Sequence, residues 1–226
     1  MNGSVCLNVL RKPTRICESI TMYDYYGVYT ACRNAAWQCI LDFKPHSLPI
    51  KIKALAKAAG IKVVRNSYVN ELRPGEQGAS IFTRGQWYII YDDSLSSEDS
   101  RVILAHELGH ILLGHEYKYA ERRFDQKGKK LKSEQEADMF AIRILAPACV
   151  LHELGVKDAE DIAVLCDIPM SVAKERARRM AVLEERGMFY KSRLESSVMK
   201  LFDGYINEHR GTPYRRDKKE NFSEIE

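Results

Sequence analysis

His106-Glu107-Leu108-Gly109-His110 is the stretch on which the reading of this chain turns, because it is an HExxH pattern inside a segment with helical spacing. Residues four apart on a helix lie one turn above each other, so both imidazoles face the same way and can share one metal ion. Glu107 borders that face, where a carboxylate can take a proton from a metal-bound water. Upstream, Ser96 and Asp99 have the spacing of a capping box, and Val102, Ile103, Ala105, Ile111, Leu112 and Leu113 supply a strongly apolar helix. Such a helix is buried. The bland alternative is a pair of core histidines satisfied by hydrogen bonds, yet two histidines and an acid on a buried helix are costly without a partner.

A catalytic zinc keeps three protein ligands and one open position, so a third ligand is expected downstream. The metzincin pattern HExxHxxGxxH is excluded: Leu113 stands at its glycine position and Glu116 at its last histidine position, with His115 one residue short. The better candidate is Ser133-Glu134-Gln135-Glu136-Ala137-Asp138, read as the start of a second helix with Ser133 and Glu136 spaced as a capping box. Glu136 then serves the helix end. Glu134 and Asp138 share a face, so Glu134 can bind the metal while Asp138 accepts the other ring N–H of a ligand histidine. Taken alone, the same acidic run also suits a solvated helix N-terminus.

HELGHILLGH (residues 106–115) followed by EQEADMFAIRILAP (residues 134–147) resembles the ImmA/IrrE metallopeptidases, a gluzincin-like group of bacteria, their phages and their integrative elements. The resemblance runs roughly from Met22 to Arg193. It implies that His106, His110 and Glu134 bind one Zn2+ per chain, with Glu107 as the general base. It also implies a protein substrate, a cognate helix-turn-helix repressor of the mobile element that is cleaved on induction.

The bulk properties agree with a small intracellular enzyme. With 226 residues and 45% hydrophobic content, the chain can bury one good core and a small second module. A net charge of +4 is too small an excess to demand a nucleic-acid partner. The six cysteines, Cys6, Cys17, Cys32, Cys39, Cys149 and Cys166, form no CxxC pair, so they read as reduced and mostly buried thiols of a cytoplasmic protein. No segment approaches the length of an apolar membrane span, and the N-terminus lacks a signal peptide's apolar stretch. Residues 1–21 read as an appendage, with Met22 as an alternative start.

Along the chain, Val28, Cys32, Ala35, Ala36, Cys39, Ile40 and Phe43 recur at helical spacing up to the break at Lys44-Pro45-His46-Ser47. Ser47 is then expected to cap a second helix that starts with Leu48-Pro49 and ends at Gly60. Residues 61–64 read as a strand, 66–78 as a long loop, and Ala79–Thr83 with Gln86–Tyr91 as a hairpin about Arg84-Gly85. The last strand, Trp87 to Tyr91, is a candidate sheet edge to which an extended substrate adds; the alternative is an interior strand. Tyr88 and Tyr91 are better read as packing than as oxyanion donors. The segment Glu116 to Lys132, basic around Gly128, reads as a loop over the cleft or as a plain solvated connection.

Beyond Pro147, Asp158 can cap a helix, Cys166-Asp167-Ile168-Pro169 turns, and Ser171 opens a longer helix carrying Lys174, Arg176, Arg178 and Arg179. The pair is either a helix-turn-helix whose basic residues meet DNA, which is not favoured, or a helical hairpin packed on the peptidase. Residues 211–226 read as a disordered tail. The expected fold is α+β, a mostly helical minimal zincin-like metallopeptidase domain (22–150) with a small three-stranded sheet. A helix-turn-helix-like helical part (151–210) follows it. The expected chemistry is attack of a zinc-activated water on a peptide carbonyl, with Glu107 moving the proton. The competing classes are a DNA-binding regulator with a vestigial or structural metal site and a toxin–antitoxin component.

Overall fold

The computed structural model describes residues 22–115 and 132–211, with side chains from Gly27 onward. The appendage, the basic segment 116–131 and the tail beyond Gly211 lie outside the described residues, together with Cys6 and Cys17.

Helix α1 (Met22–Phe43) ends at the expected break. Helix α2 spans Ile52–Ala58, with Lys51 at its N-cap and no side-chain cap, so Ser47 does not open it. Proline disfavours helical geometry at the residue before it, and Leu48-Pro49 accordingly lies ahead of the helix. Strand β1 (Lys62–Arg65) leads into a short helix α3 (Asn66–Val69) where a loop was expected. Asn66 stabilises that turn, its Oδ1 accepting from the backbone N–H of Glu71 and of Leu72, both at 3.0 Å.

Strands β2 (Gly78–Thr83) and β3 (Gln86–Tyr91) form the expected hairpin. Arg84 and Gly85 both have positive φ, 49° and 74°, as a two-residue hairpin turn matching the strand twist requires. The sheet order is β1-β3-β2, with β1 parallel and β2 antiparallel to β3. Of the two readings of Trp87 to Tyr91, the interior strand is the one formed, because β1 pairs along its other side. Strands β1 and β2 are the two edges.

Helix α4 (Ser97–Leu113) begins as its sequence dictates, Ser96 accepting from the backbone N–H of Asp99 at 3.0 Å. It ends at Gly114, whose φ of 70° closes the helix, and the next N–H, of His115, reaches back to the His110 carbonyl at 3.1 Å. That bond identifies a Schellman turn. Helix α5 (Lys132–Leu145) packs against α4 and α1. Ser133 lies inside it, so the expected capping box is not made. Glu136 instead faces His115.

Gly109 explains how α4 and α5 come so close. A Cβ there would sit 3.0 to 3.2 Å from three atoms of the Phe140 side chain. A side chain there would require Phe140 to give by a few tenths of an ångström.

Helices α6 (Ala148–Glu153), α7 (Ala159–Cys166), α8 (Met170–Glu185), α9 (Arg193–Leu201) and α10 (Asp203–His209) complete the fold. Asp158 caps α7 as expected, accepting from the Asp161 N–H at 2.8 Å. One apolar cluster runs from Ile40, Ile50, Leu104 and Leu108 through Phe140 and Ile144 to Leu151, Ile162 and Phe202. Arg101 of α4 adds a polar tie, donating to the carbonyls of Ile50, Cys166 and Asp167 at 2.9 to 3.1 Å.

Two of the four basic residues expected on α8 are engaged inside the molecule, while Lys174 and Arg178 stay exposed. Arg176 is buried and donates to the Ala146 carbonyl at 2.7 Å. Arg179 lies over the Tyr29 ring and donates to its hydroxyl at 2.9 Å. Arg178 pairs with Glu175 at 2.7 Å. Cys32, Cys39, Cys149 and Cys166 are free and buried, and burial pushes the thiols up, Cys39 to about 12. Among the described residues, no helix is long and apolar enough to cross a membrane.

Candidate metal centre

The spacing of HExxH on α4 and of Glu134 and Asp138 on α5 brings four side chains together once Gly109 lets the helices touch. His106 and His110 each present Nε2 to the same point, 3.0 Å apart. Glu134 supplies Oε1 at 3.3 Å from His110 Nε2 and Oε2 at 3.5 Å from His106 Nε2. These three residues offer ligand atoms that all lie within 4.8 Å of one another. A tetrahedral ion with arms of about 2.0–2.2 Å sets its donors about 3.3–3.5 Å apart, so the donor set fits such an ion with little movement.

Burial pushes the His106 pKa down, but hydrogen bonds to Asp138 and Glu134 outweigh it and hold the ring at about 9. His106 is therefore an imidazolium at neutral pH. Its Nδ1–H donates to Asp138 Oδ1 at 2.9 Å, and its Nε2–H points between His110 and Glu134. Burial raises Glu134, while its hydrogen bonds to His106 and His110 bring it far below the usual carboxylate range.

Glu107 sits one residue along from His106, is 4% exposed and is within electrostatic reach of that ring. Its Oε2 accepts from Ser80 Oγ of β2 at 2.6 Å. Strand β2 comes this near because residue 78 is glycine. A Cβ there would lie 2.4 Å from Ile103 Cγ2 and 3.2 Å from both Cγ and Oε1 of Glu107. Ser80 was not anticipated from sequence, since a serine in a short strand carries no sign of what it faces. A hydrogen bond to a charged group contributes about 1.5–3 kcal/mol. Ser80→Ala is expected to lower kcat/KM roughly tenfold or more at unchanged metal content, measured by steady-state hydrolysis; unaltered kinetics would show that Ser80 does not orient the carboxylate.

His115 was set aside in the sequence for lying one residue from the metzincin position, but the structure brings it into the centre. Its Nδ1 lies 2.9 Å from His110 Nδ1 and its Nε2 lies 2.9 Å from Glu136 Oε2. The signal for it was Gly114, because a glycine that ends a helix in a Schellman turn sets the residue after it against the one five back. Tyr91 stays apart from the site, its hydroxyl accepting from Lys53 at 2.9 Å.

The family model for the IrrE N-terminal-like domain, Peptidase_M78, matches residues 56–178, from α2 to within α8 and including every residue of this centre. No curated protein matches the chain. The match spans more than half of the 226 residues, and the chain belongs to the Peptidase_M78 family, that of the IrrE N-terminal-like metallopeptidase domain.

Proposed function

We propose that this chain is a cytoplasmic zinc-dependent endopeptidase that hydrolyses a peptide bond in a helix-turn-helix repressor of a phage or integrative element. The observation that carries the reading is the convergence of His106 Nε2, His110 Nε2 and a Glu134 carboxylate oxygen on one point beside the Glu107 carboxylate. Two imidazoles and one carboxylate suit zinc and leave a position open for chemistry. A zinc ion held there supplies Lewis acidity to a peptide carbonyl and acidifies water.

The chain's own residues then do the following. Glu107 takes a proton from the attacking water at its carboxylate and returns it to the leaving amine. Ser80 holds that carboxylate by its hydrogen bond. Asp138 accepts the Nδ1–H of His106 and so fixes which nitrogen is free for the metal. Strand β2, paired only with β3 among the described residues, leaves its other edge to an extended substrate segment, next to Glu107. Main-chain hydrogen bonds there would supply affinity with little side-chain preference.

A DNA-reading role has less to draw on. On α8, Arg176 and Arg179 are committed to the Ala146 carbonyl and to Tyr29.

The test is incubation of the purified, zinc-loaded chain with a candidate helix-turn-helix repressor, read by intact mass. Two fragments whose masses sum to the repressor plus one water support the proposal. An uncut repressor alongside other proteins that are cut removes the substrate assignment and leaves the peptidase.

Zinc binding carries its own pH dependence. The Nε2 proton of His106 stands in the way of the ion, and that group is held at about 9. Below that pH the proton must be displaced, so affinity rises about tenfold per pH unit up to about 9 and levels off above it. Competition with a chromophoric chelator between pH 6 and 10 measures the slope. A flat profile would mean that His106 is already unprotonated in the free protein.

A further inference from the structure

The contacts on the far side of His110 fix where every proton must sit. We infer that His115, held in turn by Glu136, is a positioning residue that sets the tautomer and ring orientation of His110 for metal binding. This rests on the reading of His106, His110 and Glu134 as the metal ligands and adds residues that reading does not use.

His110 Nε2 faces His106 at 3.0 Å and Glu134 at 3.3 Å, so a metal at that point takes Nε2 and leaves the ring proton on Nδ1. A donor at Nδ1 needs an acceptor, and His115 Nδ1 stands 2.9 Å away. To accept there, His115 carries its own proton on Nε2, which lies 2.9 Å from Glu136 Oε2. A carboxylate only accepts, so the direction is settled at that end too. The opposite tautomer of His115 would set two N–H groups head to head and leave the carboxylate against a lone pair. One arrangement satisfies all four nitrogens of the two rings.

The backbone holds this geometry. The His115 N–H bonds to the His110 carbonyl at 3.1 Å across the turn at Gly114, so the two side chains sit together before any metal arrives. The two ligand histidines are thus supported differently. His106 meets its carboxylate directly, and that Asp138 side chain is 43% exposed. His110 meets a carboxylate through a second imidazole, with His115 and Glu136 side chains only 13% and 19% exposed. Hydrogen bonding of this kind orients the ligand ring and raises the basicity of its metal-binding nitrogen.

The test uses the full chain and two metals, zinc for affinity and cobalt(II) for its visible absorption. His115→Leu, which fills the space but accepts nothing, is expected to weaken zinc binding 10- to 100-fold and to shift the cobalt bands. In His115→Asn, Oδ1 stands close to where Nδ1 stood, and binding is expected to return to within about threefold of wild type with near-native bands. Circular dichroism of the metal-free proteins checks the fold. If the leucine variant does not fold, Glu136→Ala takes its place, with about tenfold weaker zinc binding expected.

A folded leucine or Glu136→Ala variant that binds zinc as wild type does, with unshifted cobalt bands, would overturn the inference. So would an asparagine variant no better than leucine, which would reduce His115 to a packing residue at the end of α4. Failure of the wild-type chain to bind either metal would instead bring down the ligand assignment itself, and this inference with it.

Discussion

Glu107→Gln leaves a folded, zinc-binding protein whose peptide hydrolysis falls by about 10^3-fold or more. The amide keeps the size of the side chain and still offers Ser80 an oxygen to donate to, so the contact at 2.6 Å has a neutral counterpart. What it cannot do is carry a proton from water to amine. The residue is 4% exposed, and the amide fills the same volume, so the packing around it is kept. Wild-type and variant proteins are to be compared for zinc content by elemental analysis and for turnover on one substrate. A variant that retains turnover would show that proton transfer runs through another group, and the mechanism would be wrong.

Glu134→Ala is expected to have the largest effect on the metal. It removes the only carboxylate among the three converging residues and leaves two imidazoles. Zinc affinity should fall by at least about 10^3-fold, well beyond the 10- to 100-fold expected for Asp138→Ala, which removes only a partner of His106. Equilibrium dialysis at fixed pH ranks the three proteins, and the order itself is informative. If Asp138→Ala proves the more damaging, the two carboxylates have exchanged roles. If Glu134→Ala retains stoichiometric zinc, the third ligand lies elsewhere.

Local rules made much of this readable in advance. The caps at Ser96 and Asp158 and the turn at Arg84-Gly85 each depend on a few adjacent residues, and each is formed as expected. The facing of His106 with His110, and of Glu134 with Asp138, follows from helical spacing alone. The remaining features are meetings between distant segments, for which periodicity carries no signal. Ser80 meets Glu107 across 27 positions, and Arg101 reaches Asp167 across 66. The parallel pairing of β1 with β3, which makes β3 central, is settled by where the chain goes between them. Glu136 shows the same limit from the other side: a capping spacing pointed to one role, and a histidine twenty-one positions earlier took the residue for another. On α8, the tally of basic residues overstated the exposed charge because burial of Arg176 cannot be seen in composition.

The close seating of Gly109 on Phe140 bears on what happens when the ion is taken away. The two helices that mount the ligands are held together by apolar contact, with Phe140, Leu104 and Leu108 each no more than 1% exposed. Zinc fingers owe their shape to the ion, and chelation unfolds them. Here the core itself supplies the burial that orders both helices. On the proposed ligand set, chelation is therefore expected to remove the ion reversibly and to leave the helical fold intact, since apolar contact and not the ion joins the two helices.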